Sequence, residues 1–163
     1  MDSGGKRPAD VAIGADHGGF ALKERLRLYI AEELGRTVTD CGAFSAEAVD
    51  YPDVAATVAR RVAGGDSPRG ILIDGAGIGS SMAANKIPGV RAAVCHDEAT
   101  ARSSREHNNA NVLCLGANVI RVGEARRLVR IWLETPFAGG RHARRVDKID
   151  ALDRERRQEG GSR

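Results

Sequence analysis

The residues best equipped for chemistry in this 163-residue chain fall into four clusters. The densest is Ile73-Asp74-Gly75-Ala76-Gly77-Ile78-Gly79-Ser80-Ser81, with three glycines at alternate positions. Set between a strand and a helix, such a run lets backbone N–H groups converge on an anion. Its spacing is neither the dinucleotide fingerprint nor a P-loop, and the glycines alone read equally as a tight turn that needs small residues. A carboxylate at the end of a buried strand is costly unless it is partnered or working, which makes Asp74 a candidate for proton transfer. The second cluster is Asp16-His17-Gly18-Gly19, where Asp16 either meets a ligand or caps the next helix. The third, Arg105-Glu106-His107-Asn108-Asn109, offers His107 as a proton shuttle or as a cation at a helix end. The fourth is Gly139-Gly140-Arg141-His142-Ala143-Arg144-Arg145. On a helix, Arg141 and Arg145 share a face, and they form either a two-forked phosphate grip or a solvated charged surface.

Short β-rich runs alternate with helical patterns along the chain. Strands are expected over 11–15, 37–40, 71–73, 91–95 and 111–115. Helices are expected over 20–34, 54–62, 80–86, 98–107 and 123–133, with a charged helix from 141 towards 157. Five such units in series imply an α/β fold: a doubly wound, mostly parallel five-stranded sheet with helices on both faces and a C-terminal helix. Ligands of such sheets bind beyond the C-terminal strand ends, which singles out the loops after Ala15, Asp74, Cys95 and Leu115. Residues 1–9 read as a flexible leader, 10–157 as one domain and 158–163 as a frayed tail.

Composition narrows the classes further. With 42% hydrophobic and 29% charged residues, the chain is neither disordered nor a disulfide scaffold. Aromatics are only 4%, too few for base-stacking platforms, so nucleic acid is not an expected partner. The formal charge of +3 resides wholly in Gly139–Arg163, where 8 basic residues face 5 acidic ones. A basic patch of that size suits a small anion. Three cysteines without a C-x-x-C spacing suggest reduced thiols and a cytoplasmic location. No apolar run approaches the ~20 residues of a membrane span, and no membrane partner is expected. His17, His96, His107 and His142 fall on separate elements, so no metal site is expected.

Taken in order, five motifs resemble the type B ribose-5-phosphate isomerases, a family that includes the subunits of galactose-6-phosphate isomerase. They are Gly14-Ala15-Asp16-His17-Gly18-Gly19-Phe20, Asp50-Tyr51-Pro52-Asp53, the Gly75–Gly79 loop with Ala83-Ala84-Asn85-Lys86, His107-Asn108-Asn109, and Gly139-Gly140-Arg141-His142 with Arg145. The resemblance spans roughly 11–152. It implies a Rossmann-like fold, no cofactor, and a homodimer or homotetramer with active sites between subunits. The implied reaction interconverts an aldose phosphate and a ketose phosphate through a cis-enediolate, as in the pentose phosphate pathway. By the same resemblance, His107 opens the sugar ring and Asp16, His17, Tyr51 and Asn108 contact the substrate. Arg141 and Arg145 would clamp its phosphate, and the amides of Gly75, Ala76, Gly77, Ile78 and Gly79 would stabilise the enediolate.

The chain departs from the family pattern in several places. Asp74 stands where many members have a catalytic Cys, Ser80 where a subgroup has Glu, and Ala76 where Thr or Ser is common. Asn118, retained as a substrate contact, stands where many members have a phosphate-binding Arg. Asp74 is therefore expected to move the proton between C1 and C2, the alternative being that it holds the loop by accepting backbone N–H bonds. Ribose 5-phosphate is the first choice of substrate, with tetrose, allose and galactose phosphates open. A partner-dependent subunit with no base of its own is the competing reading.

Overall fold

The computed structural model describes residues 8–160. The strands are β1 (Val11–Ala15), β2 (Val38–Asp40), β3 (Arg69–Asp74), β4 (Ala92–Val94) and β5 (Val112–Gly116). The helices are α1 (Phe20–Leu28), α2 (Tyr51–Ala63), α3 (Ile78–Ala84), α4 (Glu98–Glu106), α5 (Val122–Glu134) and α6 (Ala143–Gly160). The sheet runs β2-β1-β3-β5-β4, and all four pairings are parallel.

Side-chain alternation on the strands explains why the sheet is covered twice. Ile13, Ile71, Ile73, Leu113 and Leu115 point into a core completed by Leu26 and Ile30 and by Leu128, Val129 and Trp132 of α5. Ala12, Leu72, Val112 and Cys114 point the other way, against Ala55, Val58 and Ala59 of α2 and Ala84 of α3. Strands buried on both faces read as continuous apolar runs, as β1 and β5 do. Each fully buried aliphatic side chain contributes ~1.5–3 kcal/mol.

Several boundaries differ from the sequence reading, each for a local reason. α2 starts at Tyr51, because Pro52 in its first turn has a preset φ and no N–H to lose. α3 starts at Ile78, because Gly77 adopts φ 79° and ends the loop there. The helix expected to reach Leu34 widens into a π-helical turn over Tyr29–Glu33. Gly139 and Gly140, with φ of 64° and 54°, break the approach to α6. Gly140–His142 is consequently a 3-10 turn and α6 begins at Ala143, so Arg141 and Arg145 do not share one continuous α-helix. α6 continues to Gly160, three residues past the expected boundary at Arg157. The rest of that tail, and residues 1–7 of the expected leader, lie outside the described residues.

Candidate active site

From β1 the chain passes to β2 on one side of the sheet, and from β3 to β4 at the opposite edge. The ends of β1 and β3 therefore flank the point where the winding reverses, where a crevice opens in folds of this kind. Backbone bonds knit the loops there. The Asp16 N–H donates to the Ile73 carbonyl (3.2 Å), and the Ala117 and Asn118 N–H groups donate to the carbonyls of Asp74 (2.8 Å) and Gly75 (3.0 Å). Gly19 fits only as glycine, since a Cβ would lie 2.3 Å from the Ile73 carbonyl oxygen. This rim gathers Asp16, His17, Tyr51, Asp74, the Gly75–Gly79 loop and Asn118.

Asp74 is the buried centre of the rim, 5% exposed. Its Oδ1 accepts from the N–H groups of Ala76 (3.0 Å) and Gly77, and its Oδ2 from the N–H of Ser80 (2.9 Å). Three charge-assisted bonds thus fix the glycine loop around one carboxylate. The amides of Ala76 and Gly77, expected to face a substrate oxygen, instead face Asp74. Asp16 Oδ1 accepts from Gly19 N–H (2.9 Å) within the turn before α1; the N-cap of α1 is Gly19, which has no side-chain cap bond, so Asp16 does not cap that helix. The His17 Nδ1 accepts from Val49 N–H (3.4 Å), which leaves the ring proton on Nε2. The Tyr51 ring lies over Gly79, where an added Cβ would come within 2.6 Å of it.

The other predicted residues are elsewhere. α4 begins near the end of β4 and runs back, rising ~13 Å over its nine residues. His107 and Asn108 therefore emerge at the strand-start edge, exposed, and beside them comes the chain leaving α5. Here the Ala138 N–H donates to the Glu106 carbonyl (3.0 Å), and the His142 ring stacks on His107 with centroids 4.4 Å apart. Ser103 Oγ lies 3.1 Å from His107 Nδ1. Desolvation, and then the nearby charges of His107, Arg141 and Arg145, hold the His142 imidazole below its usual range. On this edge lie His107, Asn108, Arg141 and Arg145. One chain therefore holds the predicted site as two halves, on opposite rims of its sheet.

The ribose/galactose isomerase family matches residues 11–149. The chain belongs to this family. Among curated relatives, ribose-5-phosphate isomerase B of Escherichia coli is 44% identical over 146 residues, covering 90% of this chain and 97% of that protein. D-erythrulose-4-phosphate isomerase of Pectobacterium atrosepticum is 44% identical over 140 residues, covering 85% and 91%. The solved ribose-5-phosphate isomerase B of Clostridium thermocellum superposes with a TM-score of 0.87 at 47% identity, covering 89% of this chain and 97% of that one.

Two cations are buried in this family member, one behind each rim. Lys23, fully buried, donates to both oxygens of Asp40 (2.7 Å each) and to the Ala43 carbonyl (2.5 Å), between the rings of Phe20 and Phe44. Arg105, 2% exposed, lies two residues before His107. The available signal for Lys23 was its place inside the apolar stripe of Leu22 and Leu26. Among the described residues, no helix is long and apolar enough to cross a membrane.

Proposed function

We propose that the protein is a cofactor-independent aldose–ketose isomerase of phosphorylated sugars, acting first on ribose 5-phosphate, and that each site forms between two copies of the chain. The observation that carries this reading is the division of the site. The strand-end rim offers a glycine loop around Asp74, with Asp16 and His17 beside it. The strand-start rim offers an exposed imidazole and a group of cations. Joined across a two-fold axis, an acidic and a basic rim complement each other twice over.

In the assembled site, Arg141 and Arg145 of one copy grip the phosphate and His107 of the same copy protonates the ring oxygen as the anomeric hydroxyl gives its proton to water and the C1–O ring bond breaks. Asp16, His17, Tyr51 and Asn118 of the other copy then border the open chain, with Asn108 arriving from across the interface. Asp74 takes the proton from C2 and returns it to C1, using the Oδ2 lone pair that Ser80 leaves vacant, while the hydroxyl proton of O2 passes to O1 across the enediolate. The amides of Gly75, Ile78 and Gly79, which are not bonded to Asp74, face the enediolate oxygens. The three cysteines are free thiols, which suits the cytoplasm.

The three amide bonds to Asp74 favour a second reading of that residue, as a loop anchor alone. Asp74→Asn separates the two. If Asp74 carries the proton, a phosphorylated inhibitor still binds while turnover and exchange of the substrate C–H proton with heavy water both collapse. Exchange at near the unmodified rate leaves Asp74 as an anchor and assigns the base elsewhere. Assay of tetrose, pentose and hexose aldose phosphates, with ketose formation as readout, tests the substrate. No turnover of any of them overturns the isomerase reading.

A further inference from the structure

The Arg105 guanidinium is buried without a carboxylate partner among the described residues. Its Nη1 donates to Asn109 Oδ1 (2.9 Å) and to the Ala110 carbonyl (2.5 Å), while its Nε donates to the Thr135 carbonyl (3.2 Å). The first two acceptors belong to the corner just after His107 and Asn108. The third opens the linker that leads to Arg141. Arg91 holds the same corner from the other side, with its Nε on the Asn109 carbonyl (2.9 Å) and its Nη1 on Asp150 of α6 (2.8 Å). Between these two arginines, Asn109 is kept at φ 48°, a conformation that Asn and Gly tolerate best.

Burial beside Arg69 and Arg91 is unfavourable for this cation and pulls its pKa down to about 10. A hydrophobic side chain of similar volume would pack against Trp132 without that cost. What only the guanidinium supplies is a planar fork that bonds two separate segments at once. Arg105 also points inward where His107, two residues on, points out of the helix.

We infer that Arg105 is a positioning residue that locks the His107–Asn108 corner to the linker bearing Arg141 and Arg145, so that the ring-opening group and the phosphate grip form one rigid unit. This rests on the isomerase reading above. Misplacement of such groups by about 1 Å costs ~10²-fold in rate.

The test uses the full chain in its native oligomer, with Arg105→Lys, Asn109→Gly and Asn109→Ala. Arg105→Lys keeps the charge and loses the fork. It is expected to lower kcat ~10–100-fold and to raise KM for ribose 5-phosphate. In a His107→Asn background it should change kcat by no more than about twofold, because it acts through His107. Asn109→Gly keeps the left-handed backbone and removes one acceptor, and it should lower kcat without lowering the melting temperature. Asn109→Ala should lower both. If Arg105→Lys fails to fold, the Asn109 pair carries the test. The inference is overturned if Arg105→Lys, or Asn109→Gly in its place, leaves kcat and KM within twofold, or if the Arg105 and His107 effects simply multiply. Histidine NMR is independent of turnover: in the variants the His107 and His142 ring signals should move apart in their response to inorganic phosphate. Unchanged ring signals overturn the inference even if the protein isomerises no sugar phosphate at all.

Discussion

At the ends of β1 and β3 the buried charge is a carboxylate, Asp74, and three backbone N–H groups hold it. At the end of α4 the buried charge is a guanidinium, Arg105, and three oxygens hold it, two of them backbone carbonyls. Among the described residues, neither is neutralised by an ion of opposite sign. Dipoles satisfy the polar atoms and fix the loops, while the net charge stays on each rim. A chain built this way presents an acidic and a basic surface about one sheet-height apart. Under the reading proposed above, such a chain does not close its own site, but two copies close two.

The largest effect tests whether the rims cooperate across copies. Asp74→Asn and His107→Asn should each be nearly inactive alone. Mixed, partly dissociated and reassembled, they should recover about a quarter of unmodified activity, since half the dimers are hybrids with one intact site. A mixture that stays inactive after verified subunit exchange places the whole site in one chain and removes the comparison.

A second test sharpens the contrast between the two buried cations. Lys23 has the carboxylate of Asp40 (2.7 Å) and, farther off, that of Glu24 (3.3 Å) to balance it, whereas Arg105 has none among the described residues. Asp40→Asn leaves the fully buried ammonium with only the partly exposed Glu24 carboxylate (3.3 Å) as counter-charge and should cost up to about 3 kcal/mol in urea unfolding. Because Ala43 and the loop towards Tyr51 hang on the same ammonium, KM should rise as well. A loss below about 0.5 kcal/mol would mean that Glu24, the Ala43 carbonyl and the two flanking rings suffice to hold Lys23.

Much of the strand-end rim was legible because it is local. Strand, glycine loop and helix follow one another in the chain, and periodicity places them. The separation of His107 from Asp74 was contained in the topology, since a helix leaving a strand end must return to the other edge. The anchors were not legible. Lys23 looks like any helix charge until Asp40 and Ala43 arrive from about twenty residues on, and Arg105 finds Thr135 thirty residues away. The Asp74 contacts are local, yet spacing does not distinguish a loop-holding carboxylate from a proton carrier.

A third test probes the strand-end rim through its tightest side-chain approach. In Gly79→Ala the new Cβ meets the Tyr51 ring, which is 41% exposed and free to swing outward. Stability should therefore fall by less than about 1 kcal/mol, while KM rises if Tyr51 borders the substrate. An unchanged KM with a displaced ring would remove Tyr51 from the site.

The smallest effect belongs to the strand-start rim and concerns pH. The folded protein holds His142 below its usual imidazole range, chiefly through desolvation and then through the charges of His107, Arg141 and Arg145. The unfolded chain keeps the ordinary value near ~6.5. As pH falls through that value, the unfolded state takes up the proton first, so the folded state loses ground. The contribution of His142 is thus complete above the unfolded value and disappears as pH drops towards the folded one. His142→Asn should flatten the stability profile in that window and leave it unchanged at pH 8. The same window should show inorganic phosphate stabilising the unmodified protein more as pH falls, because an anion between Arg141 and Arg145 offsets the charges that disfavour the imidazolium. An unchanged slope in His142→Asn would show that the stacked pair carries no linked proton, and would leave the ring contact as packing alone.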